Sequence, residues 1–317
     1  MEVRTDLTAP PPARPAAVAF GTFDGVHLGH QALLAALRAG ADGLGGPATV
    51  LTFEPHPLAV LRPEQAPPAV DPLATRLELL AACGMDIAVV LPFDRALAER
   101  APDWFGREVL LGHLGARLLV TGRDTRFGCG GAGDVALLQT YASEVGAQVA
   151  IHPGVQMGGE RVSSSRVRAA VAAGDVAAAS ALLGRPFCLR GSVVRGDGRG
   201  RQLGFATANV AAPDQVQPGH GVYVCLVDTG EGPRAAVTNV GMRPTFAGSA
   251  RQVEAHVLDF AGDLYDRPLA LHFLARLRDE QRFAGLDALV AQIARDVAAT
   301  RRHFEKRAAV SAGAGLP

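Results

Sequence analysis

Short apolar runs alternate with helix-spaced apolar positions through the first half of the chain. Residues 16–20 (AAVAF), 48–53 (ATVLTF), 86–91 (DIAVVL), 116–121 (ARLLVT) and 147–151 read as strands. From His30 to Ala39, Leu33, Leu34 and Leu37 share one helical face, and residues 72–82, 102–113 and 133–145 repeat that spacing. Asp71-Pro72 is a helix start and Gly84 a stop. Strands this continuously apolar belong to a parallel sheet covered on both faces, so an α/β, Rossmann-like domain is expected.

After Gly184 the texture changes. Residues 188–195, 221–228, 234–240, 252–259 and 269–277 read as strands separated by Gly/Pro/Asp-rich turns. The segment at 196–210 adds an extended run. A small antiparallel β-barrel is expected, followed by a C-terminal helix over about 286–304 with Leu289, Ile293 and Val297 on one side. The expected domains are 15–184 and 185–306, with a flexible tail at 307–317.

Composition narrows the chemistry. Of 317 residues, Lys+Arg and Asp+Glu number 31 each, so no net field favours nucleic acid or an anionic membrane. Lys306 is the only lysine. A Walker-type loop and a Schiff-base mechanism both need a lysine elsewhere, so if the chain handles phosphates it must do so with Arg, His, backbone amides and metal. The four cysteines are scattered, which argues against zinc and redox motifs. No signal pattern and no membrane-length apolar run occurs, and a cytoplasmic location is expected. Oligomeric state is not legible.

The string GTFDGVHLGH at 21–30 carries the strongest chemical signal. It places glycines between a strand and a helix, where backbone approaches ligand and free amides meet an anion. His27 and His30 are three residues apart, so both imidazoles can serve one phosphate group. Gly21, Phe23 and Gly29 are the other ligand-facing candidates. SSSRVR at 163–168 reads as a capped helix start with Arg166 and Arg168 near it. Ser163 and Ser164 are capping and phosphate-binding candidates; a plain surface helix fits the same pattern. In GDGRGRQLGFATANV at 196–210, Arg199 lies in a flexible basic loop, and Thr207 and Asn209 share one face of an extended run. Their oxygens suit Mg²⁺, while a Gly-rich hairpin with two polar residues is the plainer account. In VEAHVLDF, Glu254 and His256 share a strand face, and Glu254 is a candidate base at a barrel rim.

These motifs resemble those of the bacterial bifunctional riboflavin kinase/FMN adenylyltransferase (FAD synthetase) family. GTFDGVHLGH is similar to its nucleotidyltransferase turn, TFEPHP at 52–57 to its second motif, and GRDTRFG at 122–128 to its glycine–aspartate–FG loop. The segments at 163–168, 196–210, 239–246, 259–265 and 277–283 resemble later motifs. The resemblance implies an α/β parallel-sheet nucleotidyltransferase domain and a riboflavin kinase barrel. The substrates and products are then riboflavin, FMN, FAD and ATP, with Mg²⁺. It implies that His27, His30 and Arg168 serve adenylyl transfer and that Glu254 activates the riboflavin hydroxyl. It also implies that Thr207 and Asn209 hold Mg-ATP, and that Asp124, Phe127 and Arg278 contact flavin. The chain departs from the pattern at Ala206 (usually proline), Asp266 (usually glycine), Thr125 (usually aromatic), Ser165 and residues 129–133. A descendant with one activity, or a flavin-binding protein without turnover, are the alternatives.

Overall fold

The computed structural model describes residues 1–196, 200, 204–212, 214–230, 232–245 and 248–313. Packing divides the chain into two compact units, Met1–Ser164 and Ser165–Pro317.

The first unit is built on a six-stranded parallel sheet. Its strands are β1 (Glu2–Arg4), β2 (Ala16–Phe20), β3 (Ala48–Glu54), β4 (Ile87–Pro92), β5 (Ala116–Gly122) and β6 (Gln148–His152). They lie in the order β1-β4-β3-β2-β5-β6, and every pairing is parallel. The helices between them are α1 (Leu28–Leu44), α2 (Pro57–Leu61), α3 (Leu73–Ala82), α4 (Arg95–Ala98) and α5 (Val135–Glu144). Two cores sit on opposite faces, one holding Leu34, Leu37 and Leu80, the other Leu110, Leu119 and Leu138. That explains the unbroken apolar strands. Trp104–His113 winds as a π-helix rather than the expected α-helix. Gly106 in it lies so close to Tyr141 that a Cβ would stand 2.6 Å from the ring. Neither β1 nor the hairpin of β7 (Gln156–Met157) and β8 (Glu160–Arg161) follows from the apolar pattern, because each is only two or three residues long.

From β2 the chain steps through β3 to β4, then crosses back to lay β5 against the other side of β2. The strand order therefore reverses between β2 and β5. In open α/β sheets the ligand crevice opens at such a switch point, beyond the carboxyl ends of the strands.

The division falls at the start of α6 (Ser164–Ala172), which with α7 (Val176–Leu183) opens the second unit, and α7 packs on two barrel strands. The barrel comprises β9 (Phe187–Val194), β10 (Ala208–Ala211), β11 (Gly221–Asp228), β12 (Pro233–Thr245), β13 (Gly248–Val257) and β14 (Pro268–Arg278). It closes in the order β10-β13-β12-β11-β14-β9, all antiparallel, and leaves no free edge. Its interior is filled by Phe187, Leu189, Tyr223, Cys225, Leu271 and Phe273, each fully buried. The terminal helix α8 (Leu286–Gly313) runs past the expected end at 304. It lays Val297 over Val222, Val237 and Leu258 on the outside of the wall. Asp266 adopts φ 60°, so it holds the left-handed turn that a glycine would supply without strain.

Candidate functional sites

In the first unit, β2 ends at Phe20 and the turn begins at once. Gly25 takes φ 84°, and Phe23 and Val26 take φ 49° and 33°, left-handed values that cost side-chain-bearing residues energy. The turn is held from several sides. The buried Asp24 carboxylate accepts the Val70 N–H through both oxygens at 3.0 Å and the Asp71 N–H at 3.1 Å. The Asp24 carbonyl accepts the Ser164 hydroxyl at 2.8 Å. Asp24 was not singled out from sequence; an acid set between Gly21 and Gly25 is its only advance signal.

His27 caps α1, its Nδ1 accepting the His30 N–H at 3.3 Å. The His30 ring stacks on His27 with centroids 3.7 Å apart and planes 15° apart, and the edge of Phe23 meets it at 5.3 Å. Gly29 keeps the stack open, since a Cβ there would lie 3.1 Å from the His27 ring. His30 Nδ1 is buried and has no hydrogen-bond partner among the described residues. Burial first, then the neighbouring His27 and Arg161, hold the His30 pKa well below its usual value, so the ring is neutral near pH 7. The result is a pair of stacked imidazoles at the amino end of a long helix, beside the switch point. That arrangement can receive a polyphosphate.

Beyond β5, Asp124 accepts from Arg161 Nη1 at 2.5 Å. Gly122 and Gly154 leave room for that arginine, which a Cβ at either would approach to 3.3 Å. Arg161 was missed in the sequence because it sits on the two-residue strand β8. Phe127 is a core residue, with Phe20 and Phe105 each 5.9 Å away between ring centroids, and Gly133 closes on it. His56 caps α2 through Nδ1, accepting the Leu58 N–H at 3.1 Å, and so has a structural role. Gly21 follows β2 directly and Ser163 precedes α6. Arg166 and Arg168 lie on the first two turns of α6.

In the barrel, Val253, Ala255 and Val257 are buried and alternate with half-exposed Gln252, Glu254 and His256. The polar set therefore faces outward from the middle of the wall rather than sitting at the rim. Asn209 and Asn239 flank Glu254 on the same rung of the ladder. Gln252 joins them: its Nε2 donates to Asn209 Oδ1 and, at 3.0 Å, to Glu254 Oε1. Sequence reading passed over Gln252 because a glutamine on a strand face carries no chemical signature. Just before β10, the Ala206 carbonyl lies 2.8 Å from His256 Nδ1, so a neighbouring ring steadies the residue that replaces proline. Glycines make a cradle there. A Cβ on Gly196 would stand 2.2 Å from Asn209 Nδ2, and one on Gly200 would stand 2.4 Å from the Phe205 carbonyl and 3.3 Å from Thr207 Oγ1. Thr207 and Asn209 bring a hydroxyl and an amide oxygen to that cradle, a donor set that fits Mg²⁺. Arg199 lies outside the described residues. Arg278 makes a forked ion pair with Asp296 of α8, at 2.7 Å from Nη2 and 3.1 Å from Nε.

A switch-point histidine turn on a parallel sheet and a carboxylate-bearing closed barrel define a nucleotide-dependent transferase with two sites. A family profile described as FAD synthetase matches residues 9–166, and one described as riboflavin kinase matches residues 183–304. The chain is 44% identical over 285 residues to the bifunctional riboflavin kinase/FMN adenylyltransferase of Escherichia coli (strain K12), covering 90% of this chain and 91% of that one. It is 43% identical to the Pseudomonas fluorescens protein of the same description, over 92% and 94% of the two chains. A solved structure described as a macrolide-efflux protein from Streptococcus pneumoniae superposes with a TM-score of 0.84 at 29% identity, covering 94% of this chain and 98% of that one. Among the described residues no helix is long and apolar enough to cross a membrane. The chain belongs to the bifunctional riboflavin kinase/FMN adenylyltransferase family.

Proposed function

We propose that the chain phosphorylates riboflavin to FMN and adenylylates FMN to FAD, consuming ATP in both steps. The observation that carries the first-unit assignment is the stacked His27–His30 pair at the amino end of α1, beside the switch point. In adenylyl transfer an FMN phosphate oxygen attacks the α-phosphorus of ATP, the α–β bridging bond breaks, and pyrophosphate leaves. His27 and His30, with the α1 amides, receive charge that develops on the phosphates. Arg166, Arg168, Ser163 and Ser164 supply further phosphate contacts, and Gly21, Phe23 and Gly29 shape the turn. Asp124 orients FMN from the end of β5. Phe127 acts by packing the wall behind it, and Arg278, paired with Asp296, acts on flavin binding by fixing α8 on the barrel.

In the kinase step Glu254 takes the proton of the riboflavin 5′-hydroxyl, whose oxygen attacks the γ-phosphorus as ADP leaves. Thr207 and Asn209 would hold Mg²⁺, which would neutralise phosphate charge, and Arg199 is assigned a further phosphate contact. Residues 15–184 are assigned to adenylyl transfer and 185–306 to the kinase. The even charge balance supports small-molecule substrates, with neither nucleic acid nor membrane as partner.

The test is incubation of pure protein with riboflavin, ATP and Mg²⁺, followed by chromatographic separation of flavins. FMN followed by FAD is expected. FMN alone leaves only the kinase, and flavin binding with neither product overturns both assignments.

A further inference from the structure

Arg76 on α3 is an arginine only 5% exposed, and nothing in the two proposed reactions uses it. Its Nη1 donates to the Thr22 carbonyl at 2.7 Å and its Nη2 to Glu54 Oε2 at 2.5 Å. Its Nε is buried with no partner among the described residues. The Thr52 hydroxyl donates to the same Thr22 carbonyl at 3.2 Å. As a stabilising element this is a poor choice. A buried cation with an idle donor loses more hydration than one half-exposed carboxylate restores, and an apolar side chain of similar shape would hold the fold as well.

What the guanidinium fixes is a direction. The Thr22 carbonyl belongs to the peptide unit that leads into Phe23. Two donors from α3 and β3 point that carbonyl inward, and the next torsion is the left-handed φ of 49° at Phe23. A phenylalanine does not hold that value unaided. The torsion in turn aims the Phe23 ring, whose edge braces His30 at 5.3 Å. The path from α3 to the histidine is continuous: guanidinium, carbonyl, torsion, ring, imidazole.

We propose that Arg76 is a positioning residue for adenylyl transfer, setting His30 through the Thr22–Phe23 peptide; this rests on the adenylyl-transfer assignment above. Arg76→Met is the informative variant, because the carboxylate it leaves behind is partly solvated. FAD formation from supplied FMN and ATP is followed at steady state. The kcat is expected to fall on the order of 100-fold while the KM for ATP stays within about threefold, since a small misplacement penalises the transition state more than ground-state binding. Arg76→Lys, which retains charge and one donor, recovers part of that loss. Should Arg76→Met not fold, the double variant Arg76→Met/Glu54→Gln, which strands neither charge, is measured with the same expectations. A folded variant with undiminished kcat overturns the inference. So does a loss that vanishes once activity is normalised to the folded fraction read from Trp104 emission. If the unaltered protein makes no FAD, the adenylyl-transfer assignment itself has failed; if it does and Arg76→Met matches it, only the role of Arg76 has.

Discussion

Replacing Asp24 by alanine should loosen the phosphate turn measurably and in a graded way. The carboxylate accepts two buried backbone N–H groups, those of Val70 and Asp71, across a sequence separation of more than forty residues. Alanine strands both donors. A buried donor left unsatisfied costs about 1–3 kcal/mol, so the pair costs about 2–6 kcal/mol. A water entering the vacated space sets the lower end of that range. For a unit of this size each kcal/mol lowers the melting temperature by about 2–4 °C, so a mid-range cost of ~4 kcal/mol gives a drop of about 8–16 °C. Asp24→Asn keeps one acceptor and turns its amide N–H₂ toward the other donor, so about half the shift is expected. The assay is selective, because Trp104 is the only tryptophan in the chain and packs against the first unit's core. Its emission therefore reports the first unit's unfolding. A shift under about 2 °C for Asp24→Ala, against the cost of two stranded donors, would refute the clamp, as would equal shifts for Ala and Asn.

His30→Ala should remove FAD formation and leave FMN formation intact, as measured by flavin chromatography; equal loss of both would argue against two separate sites. Glu254→Gln should do the reverse, abolishing FMN formation from riboflavin while FAD still forms from supplied FMN. The first unit should lose stability in mild acid. The folded pKa of His30 is depressed by burial, so below its unfolded pKa of about 6.5 the unfolded chain binds the extra proton and stability falls with pH. Trp104-detected melting between pH 7.5 and 5.5 should show that decline, and His30→Gln should flatten it. Asp296→Ala removes the acceptor for Arg278 and Gln292 and should destabilise the barrel unit by about 3–5 kcal/mol in urea titrations followed by backbone circular dichroism.

The apolar pattern revealed most of the architecture because the central first-unit strands β2, β3 and β4 are buried on both faces and β14 of the barrel alternates buried and half-buried positions. Such residues have little choice of environment. The expected strand at 16–20 and the structural one, Ala16–Phe20, coincide. What stayed hidden depends on contacts distant in sequence. Asp24 is held by residues near 70, and Arg161 joins Asp124 from a strand too short to leave a pattern. The π-winding of Trp104–His113 accompanies the close approach of Gly106 to Tyr141, which no local propensity records. Histidine spacing predicted a shared phosphate partner. That the rings stack, with His30 Nδ1 enclosed beside the left-handed turn, is a tertiary arrangement the spacing does not encode.

The closed barrel has a consequence for how its outer site can change. Asn209, Glu254 and Asn239 occupy one rung across three strands, and those strands are links in an unbroken ring. Side chains alternate with a period of two, so deleting one residue from β13 would send Glu254 inward and an apolar neighbour outward. In an open sheet an edge strand could slide to absorb the loss. Here β13 is stitched on both sides, and any slip must be matched all around the ring or break a ladder. Variation at this site is thus confined to substitution within the strands, with gains and losses of length relegated to the connecting loops.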